Sequence, residues 1–161
     1  MINKRITAVL IAAALPLFWP LYIHRQGNVT IPFKCIFTTE YTGLSAGKKS
    51  AIRLIQDLRI YPKGQDYFLL SGTATHDNTT YRVARTLLLR NEKEIQGKTF
   101  RLTVERTIKL PGDNVPEPVM DSILQEYYVT PDSLQIDIFP VRGKTYLIGG
   151  PYAFISVCLR Y

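Results

Sequence analysis

Residues 98 to 110 read KTFRLTVERTIKL, where Phe100, Leu102, Val104, Ile108 and Leu110 alternate with Thr99, Arg101, Thr103, Glu105, Thr107 and Lys109. Apolar and polar side chains that change places at every residue mark a half-buried β-strand, because successive side chains of an extended chain point to opposite faces. Arg106 falls on the apolar face. An inward charge there reads as a paired core residue or a guard against edge-to-edge pairing more readily than as a ligand contact.

The same period recurs on both sides of this stretch. Residues 32–41 place Phe33, Cys35, Phe37 and Tyr41 together, and residues 51–61 set Ile52, Leu54, Leu58 and Ile60 against Arg53, Asp57 and Arg59. Residues 67–76 and 80–90 flank Asp77 and Asn78, a pair suited to a two-residue hairpin turn. Residues 134–139, 145–148 and 152–161 complete the strands, with Phe154, Ser156 and Cys158 on one face of the last. Residues 43–49, 62–65, 111–118, 142–144 and 149–151 carry the turn formers and small residues that break the runs. Helical spacing appears once, over residues 119–128, with Met120, Ile123, Leu124 and Tyr127 on one side and Pro118 in the first turn. About eight short strands and one helix predict a mainly β domain, a small antiparallel barrel or curved sheet with the helix packed on it as a lid.

The chain has 161 residues and a formal charge of +7. The cations are scattered and form no run longer than two, which reads as a solvated basic surface and not as a nucleic-acid footprint. Residues 6–23, from Ile6 to Ile23, carry no charge and follow Lys4 and Arg5. Eighteen apolar residues meet the lower limit for a membrane-spanning helix, and a basic leader of five residues orients it with the N-terminus in the cytoplasm. Ala12 and Ala14 have the spacing of a signal cleavage site, but the apolar run continues through Trp19 and Tyr22, which favours an uncleaved anchor. The organisation expected is a leader over 1–5, an anchor over 6–23, a linker over 24–31 and one β domain over 32–161 on the periplasmic side of a bacterial inner membrane.

Both cysteines lie in the expected domain, Cys35 in its first strand and Cys158 in its last. In an oxidising compartment they are expected to pair as a structural disulfide, since neither sits in a Cys-x-x-Cys motif. His24 and His76 lack partners at ligand spacing, so no metal or cofactor is expected. No nucleophile elbow, phosphate loop or metalloprotease motif is present, and an enzymatic role is not expected.

The basic leader, the Ile6 to Ile23 anchor, Cys35 just beyond it and the C-terminal strand ending FISVCLRY together resemble the membrane-anchored accessory proteins of ToxR-like transcription activators. That group includes ToxS, VtrC, PsaF/MyfF and FidL-like proteins, and in size the chain is closest to PsaF/MyfF. The resemblance implies a lipocalin-like periplasmic domain that forms a heterodimer with the activator, stabilises it and enables signal-dependent expression of virulence or fimbrial genes. In the VtrC branch it also implies binding of bile salts. A second reading is an autonomous binder of an apolar ligand such as a bile salt or fatty acid, lined by the interior residues Phe33, Tyr81, Phe100, Leu102 and Arg106. The same aromatics fill an ordinary small core, which is the favoured reading because the interiors of small barrels are usually packed with side chains.

Overall fold

The computed structural model describes residues 29–45, 48–95 and 98–161. Five successive strands, β1 (Phe33–Ser45), β2 (Lys48–Ile60), β3 (Asp66–His76), β4 (Thr79–Ile95) and β5 (Thr99–Lys109), pair antiparallel, each with the next. A crossover containing the helix α1 (Glu117–Leu124) and the short strand β6 (Tyr128–Thr130) leads to β7 (Ser133–Arg142), β8 (Thr145–Gly149) and β9 (Phe154–Arg160). Residues 99–103 of β5 pair with residues 133–137 of β7, and β9 meets β1, so the nine-stranded sheet curves back on itself. Eight strands form the ring, and β6 lies along β7 as the ninth.

Local chemistry explains the joints. Asp77 and Asn78 both adopt positive φ, 50° and 61°, the twist a two-residue hairpin needs, and these two residue types tolerate it. Gly72 on β3 lies opposite Leu54, so close to β2 that a Cβ would run into the Arg53 carbonyl oxygen. β1 and β2 both run further into residues 43–49 than the turn formers there predict, and β4 continues to Ile95.

Alternation fails in β5, and a bulge is the reason. Leu88 pairs with Arg106 but Leu89 pairs with Val104, which leaves Glu105 as an extra residue on β5. An inserted residue reverses the facing of everything after it. Phe100 and Leu102 are buried, whereas Arg106 and Leu110 are exposed on the outside and Ile108 is half-buried. Arg106 is therefore not an interior residue. A second irregularity, between Ile148 and Gly149 where β8 meets β9, turns Phe154 outward and leaves Cys158 buried.

The helix is shorter than the apolar stripe implies. It ends at Leu124, and the chain then turns so that the Tyr127 carbonyl accepts the Gln135 amide and β6 can pair with β7. The bend at Gly150 packs directly beneath this turn, where a Cβ would meet the Glu126 carbonyl. Met120, Ile123, Leu124 and Tyr127 are buried and close one end of the ring, the lid end. The opposite end holds the disulfide between Cys35 and Cys158, whose Cα atoms are 5.7 Å apart.

The expected leader and anchor lie outside the described residues, as does all of the linker before Val29. Among the described residues no helix is long and apolar enough to cross a membrane.

Candidate functional site

The interior is built from the inward faces of the ring. Phe33, Phe100 and Leu102 are each 0% exposed, surrounded by core side chains, while Tyr81 is half-buried at the lid end. Phe33 packs edge-on to Tyr146 with ring centroids 5.1 Å apart, and the Arg160 guanidinium sits over its face. Four of the five residues expected to line an interior site thus belong to or pack on the core, and Arg106 stands apart from them outside.

A different arginine occupies the interior. Arg85 of β4 is only 1% exposed, and its guanidinium donates to both carboxylate oxygens of Asp113 at 3.1 and 3.2 Å, to Glu117 at 2.7 Å and to the Val115 carbonyl at 2.7 Å. Asp113 also accepts the Ala84 amide at 2.9 Å, and Lys109 completes an ion pair with Glu117. This network fastens the crossover and the start of α1 to β4. Hydrogen bonds from Lys109 and Arg85 hold the Glu117 carboxyl below its ordinary range. The Arg85 charge costs desolvation but is over-compensated by its carboxylate partners, which raise its already high pKa further.

A polar chain links the lid to the ring wall. The buried Tyr127 hydroxyl donates to Gln56 Oε1 at 3.0 Å, and Gln56 Nε2 donates to Thr39 Oγ1 at 2.6 Å. Burial pushes the Tyr127 phenol well above its usual pKa. Gln56 is the residue that interrupts the apolar series Ile52, Leu54, Leu58 and Ile60, and that gap is the only sequence signal for this feature.

Thr39 borders the one loose joint in the ring. β1 and β9 share two residue pairs, Cys35 with Arg160 and Ile36 with Leu159, against thirteen pairs between β1 and β2. Beyond Ile36 no further residue pairs join the two strands among the described residues, although the Ser156 hydroxyl still donates to the Thr38 carbonyl at 2.8 Å. A groove of about 290 Å³ opens there, floored by Ile52, Leu54, Ile123 and Tyr127 and walled by Tyr41 and Phe154. Glu40 and Glu126 stand on its rim. Burial, and then the nearby Glu126 charge, raise the pKa of Tyr41.

Outside the same joint the sheet carries apolar side chains. Leu159 faces Ile36 across the β9–β1 pairing, and Val157 lies one step along β9; they are 55%, 41% and 55% exposed in that order. Ile55 on β2 and Phe154, which stacks edge-on with Phe139, extend the patch to either side. These side chains make the outer face of the sheet apolar beside the joint.

Among the described residues no group of histidine, cysteine or acidic side chains could hold a metal ion. Ser50 and His76, 3.1 Å apart, are direct cross-strand neighbours at the rim of the lid end. Asp137 is engaged by the Thr99 hydroxyl at 2.7 Å.

Fold and surface together define a disulfide-closed antiparallel β domain with an apolar outer wall. The model of the family described as "FidL-like putative membrane protein" matches residues 72–158, just over half of the 161 residues, and the chain belongs to that family. No curated protein and no solved structure matches the chain.

Proposed function

We propose that the chain is a membrane-anchored accessory protein whose β domain stands in the periplasm, binds the periplasmic part of a ToxR-like membrane-bound transcription activator, and keeps it competent for signal-dependent expression of virulence or fimbrial genes. The observation that carries this reading is the exposed apolar wall formed by Ile36, Val157, Leu159 and Ile55. A side wall is the surface a second protein held in the same membrane can reach. Membership of a membrane-protein family supports the Ile6 to Ile23 anchor, and the buried disulfide suits an oxidising compartment. No catalytic step is assigned to the domain.

The alternative, a lipocalin-like carrier, requires interior space. Phe33, Phe100 and Leu102 fill the position where its ligand would sit, and this packing favours the partner-binding reading.

The test is co-purification of the full chain with a co-expressed ToxR-like activator from membranes. Leu159→Asp is expected to reduce capture at least tenfold while the variant stays folded, because Leu159 is exposed. Undiminished capture by Leu159→Asp and by Val157→Asp would sink the proposal.

A further inference from the structure

The unpaired part of the β1–β9 joint offers main-chain groups as well as a groove. Side chains of β1 alternate with Phe33, Cys35 and Phe37 pointing in, and main-chain groups alternate sideways in the same rhythm. The Lys34 carbonyl accepts the Tyr161 amide and the Thr38 carbonyl accepts the Ser156 hydroxyl, so the even-numbered residues of β1 present their N–H and C=O groups towards β9. Glu40 and Thr42 follow the same parity, at a height where β9 no longer pairs. Their main-chain groups face the groove along a strand edge, the template that accepts an added strand.

We infer that this joint is a docking slot for an extended polypeptide segment, which pairs with the Glu40 and Thr42 main chain. Alternate side chains of the segment enter the floor of Ile52, Leu54, Ile123 and Tyr127, and a basic residue in it meets Glu126 on the rim, the neighbouring Glu40 being already paired with Arg53. The inference rests on the partner-binding reading and names the part of a partner that fits: a strand with alternating apolar side chains and flanking cations.

Three features select this occupant. A lipid or sterol would use the apolar floor but leave the strand edge without partners. Glu126 has no ion-pair partner among the described residues, so the rim keeps a negative charge in a chain whose formal charge is +7. The chain's own linker cannot supply the segment from the expected anchor. Residues 24–28 reach at most about 18 Å when extended, whereas Thr42 lies about 30 Å along β1 from Phe33.

The experiment uses the full chain in lipid nanodiscs and, as probe, a synthetic peptide of alternating valine and threonine with a lysine at each end. Its control is the same peptide methylated at alternate backbone amides, which keeps the side chains and removes the edge donors. Saturable binding is expected, with amide exchange at Glu40 and Thr42 slowed at least tenfold and affinity for the methylated peptide at least tenfold lower. Thr42→Pro removes the edge donor without touching the β2 ladder and should weaken binding as much, and Glu126→Lys should weaken it several-fold. Equal binding of both peptides, no saturable binding, displacement by decanoate, or dimerisation of the chain through this joint in place of peptide binding would each overturn the inference. Leu159→Asp, on the outer wall, should leave peptide affinity unchanged while lowering capture of the activator, so loss of one activity without the other tells which of the two readings has failed.

Discussion

Reducing the Cys35–Cys158 disulfide should remove most of the stability of the β domain. The bond closes a loop with a sequence separation of 123 residues. In the chain-entropy treatment a loop of this length contributes about 5 kcal/mol at 25 °C by restricting the unfolded chain. That is comparable with the whole stability of many domains, about 5 to 15 kcal/mol. The location raises the consequence, because the bond lies beside the two residue pairs that join β1 to β9. Without the covalent link, that join depends on those pairs, the Tyr161 amide on the Lys34 carbonyl, the Ser156 hydroxyl on the Thr38 carbonyl, and the Arg160 guanidinium on the Thr30 and Pro32 carbonyls at 3.0 and 2.8 Å.

The measurement is urea unfolding of the same protein with and without a reductant, which changes the cross-link and leaves every side chain in place. With a slope of about 2 kcal/mol per molar urea, the midpoint should fall by about 2.5 M. Amide exchange at Ile36 and Leu159 should accelerate before that of β2 and β3, since the ring opens first at its shortest pairing. A midpoint shift below about 0.5 M, equivalent to about 1 kcal/mol, would refute the reasoning. It would mean that the unfolded chain is already restricted or that the ring closes without help.

Other consequences follow from the lid. Arg85→Met leaves Asp113 buried without its cation and should destabilise by about 3 to 5 kcal/mol in urea unfolding, with the Arg85→Met/Asp113→Asn double variant losing less than the sum of the singles. Tyr127→Phe deletes the hydroxyl that satisfies buried Gln56 and should cost about 1 to 3 kcal/mol, a loss that Gln56→Leu in the same background partly restores. Glu117 has its folded-state pKa held below the ordinary value of 4.5, so its contribution is present above that value and disappears as pH falls through the lower, folded one. The stability difference between wild type and Glu117→Gln should therefore be positive near neutral pH and shrink as pH falls below about 4.5; a difference independent of pH would remove the ion pair from the account.

The β class was legible because alternation is a property of the backbone. Residues 51–60 show it, and Ile52, Leu54, Leu58 and Ile60 are all buried as their spacing requires. The Asp77–Asn78 turn was legible because few residue pairs tolerate two positive φ angles in succession. Arg106 was misplaced because a bulge leaves no mark in hydrophobic period: one extra residue at Glu105 converts an inward position into an outward one, and only the pairing partner on β4 decides where it goes. The partner of Arg85 was hidden for another reason. Asp113 lies in a loop 28 residues away, and its meeting with β4 depends on how the crossover folds back.

The joint between β1 and β9 could not be read from the chain because it joins the ends of the domain, and its looseness is a matter of relative length and curvature. β1 has thirteen residues and β9 seven, so even complete pairing would leave part of the β1 edge free. The disulfide then has two effects at once. It fixes the strands together at Cys35, where pairing is shortest, and so allows the upper part of the same joint to stay parted without unravelling the ring. Apolar exposure outside the joint, an apolar floor inside it and an unused strand edge between them occur at one place because a covalent bond holds the ring where main-chain pairing does not. A domain closed by hydrogen bonds alone would need more of the β1 edge paired with β9, and would have less of it to offer another chain.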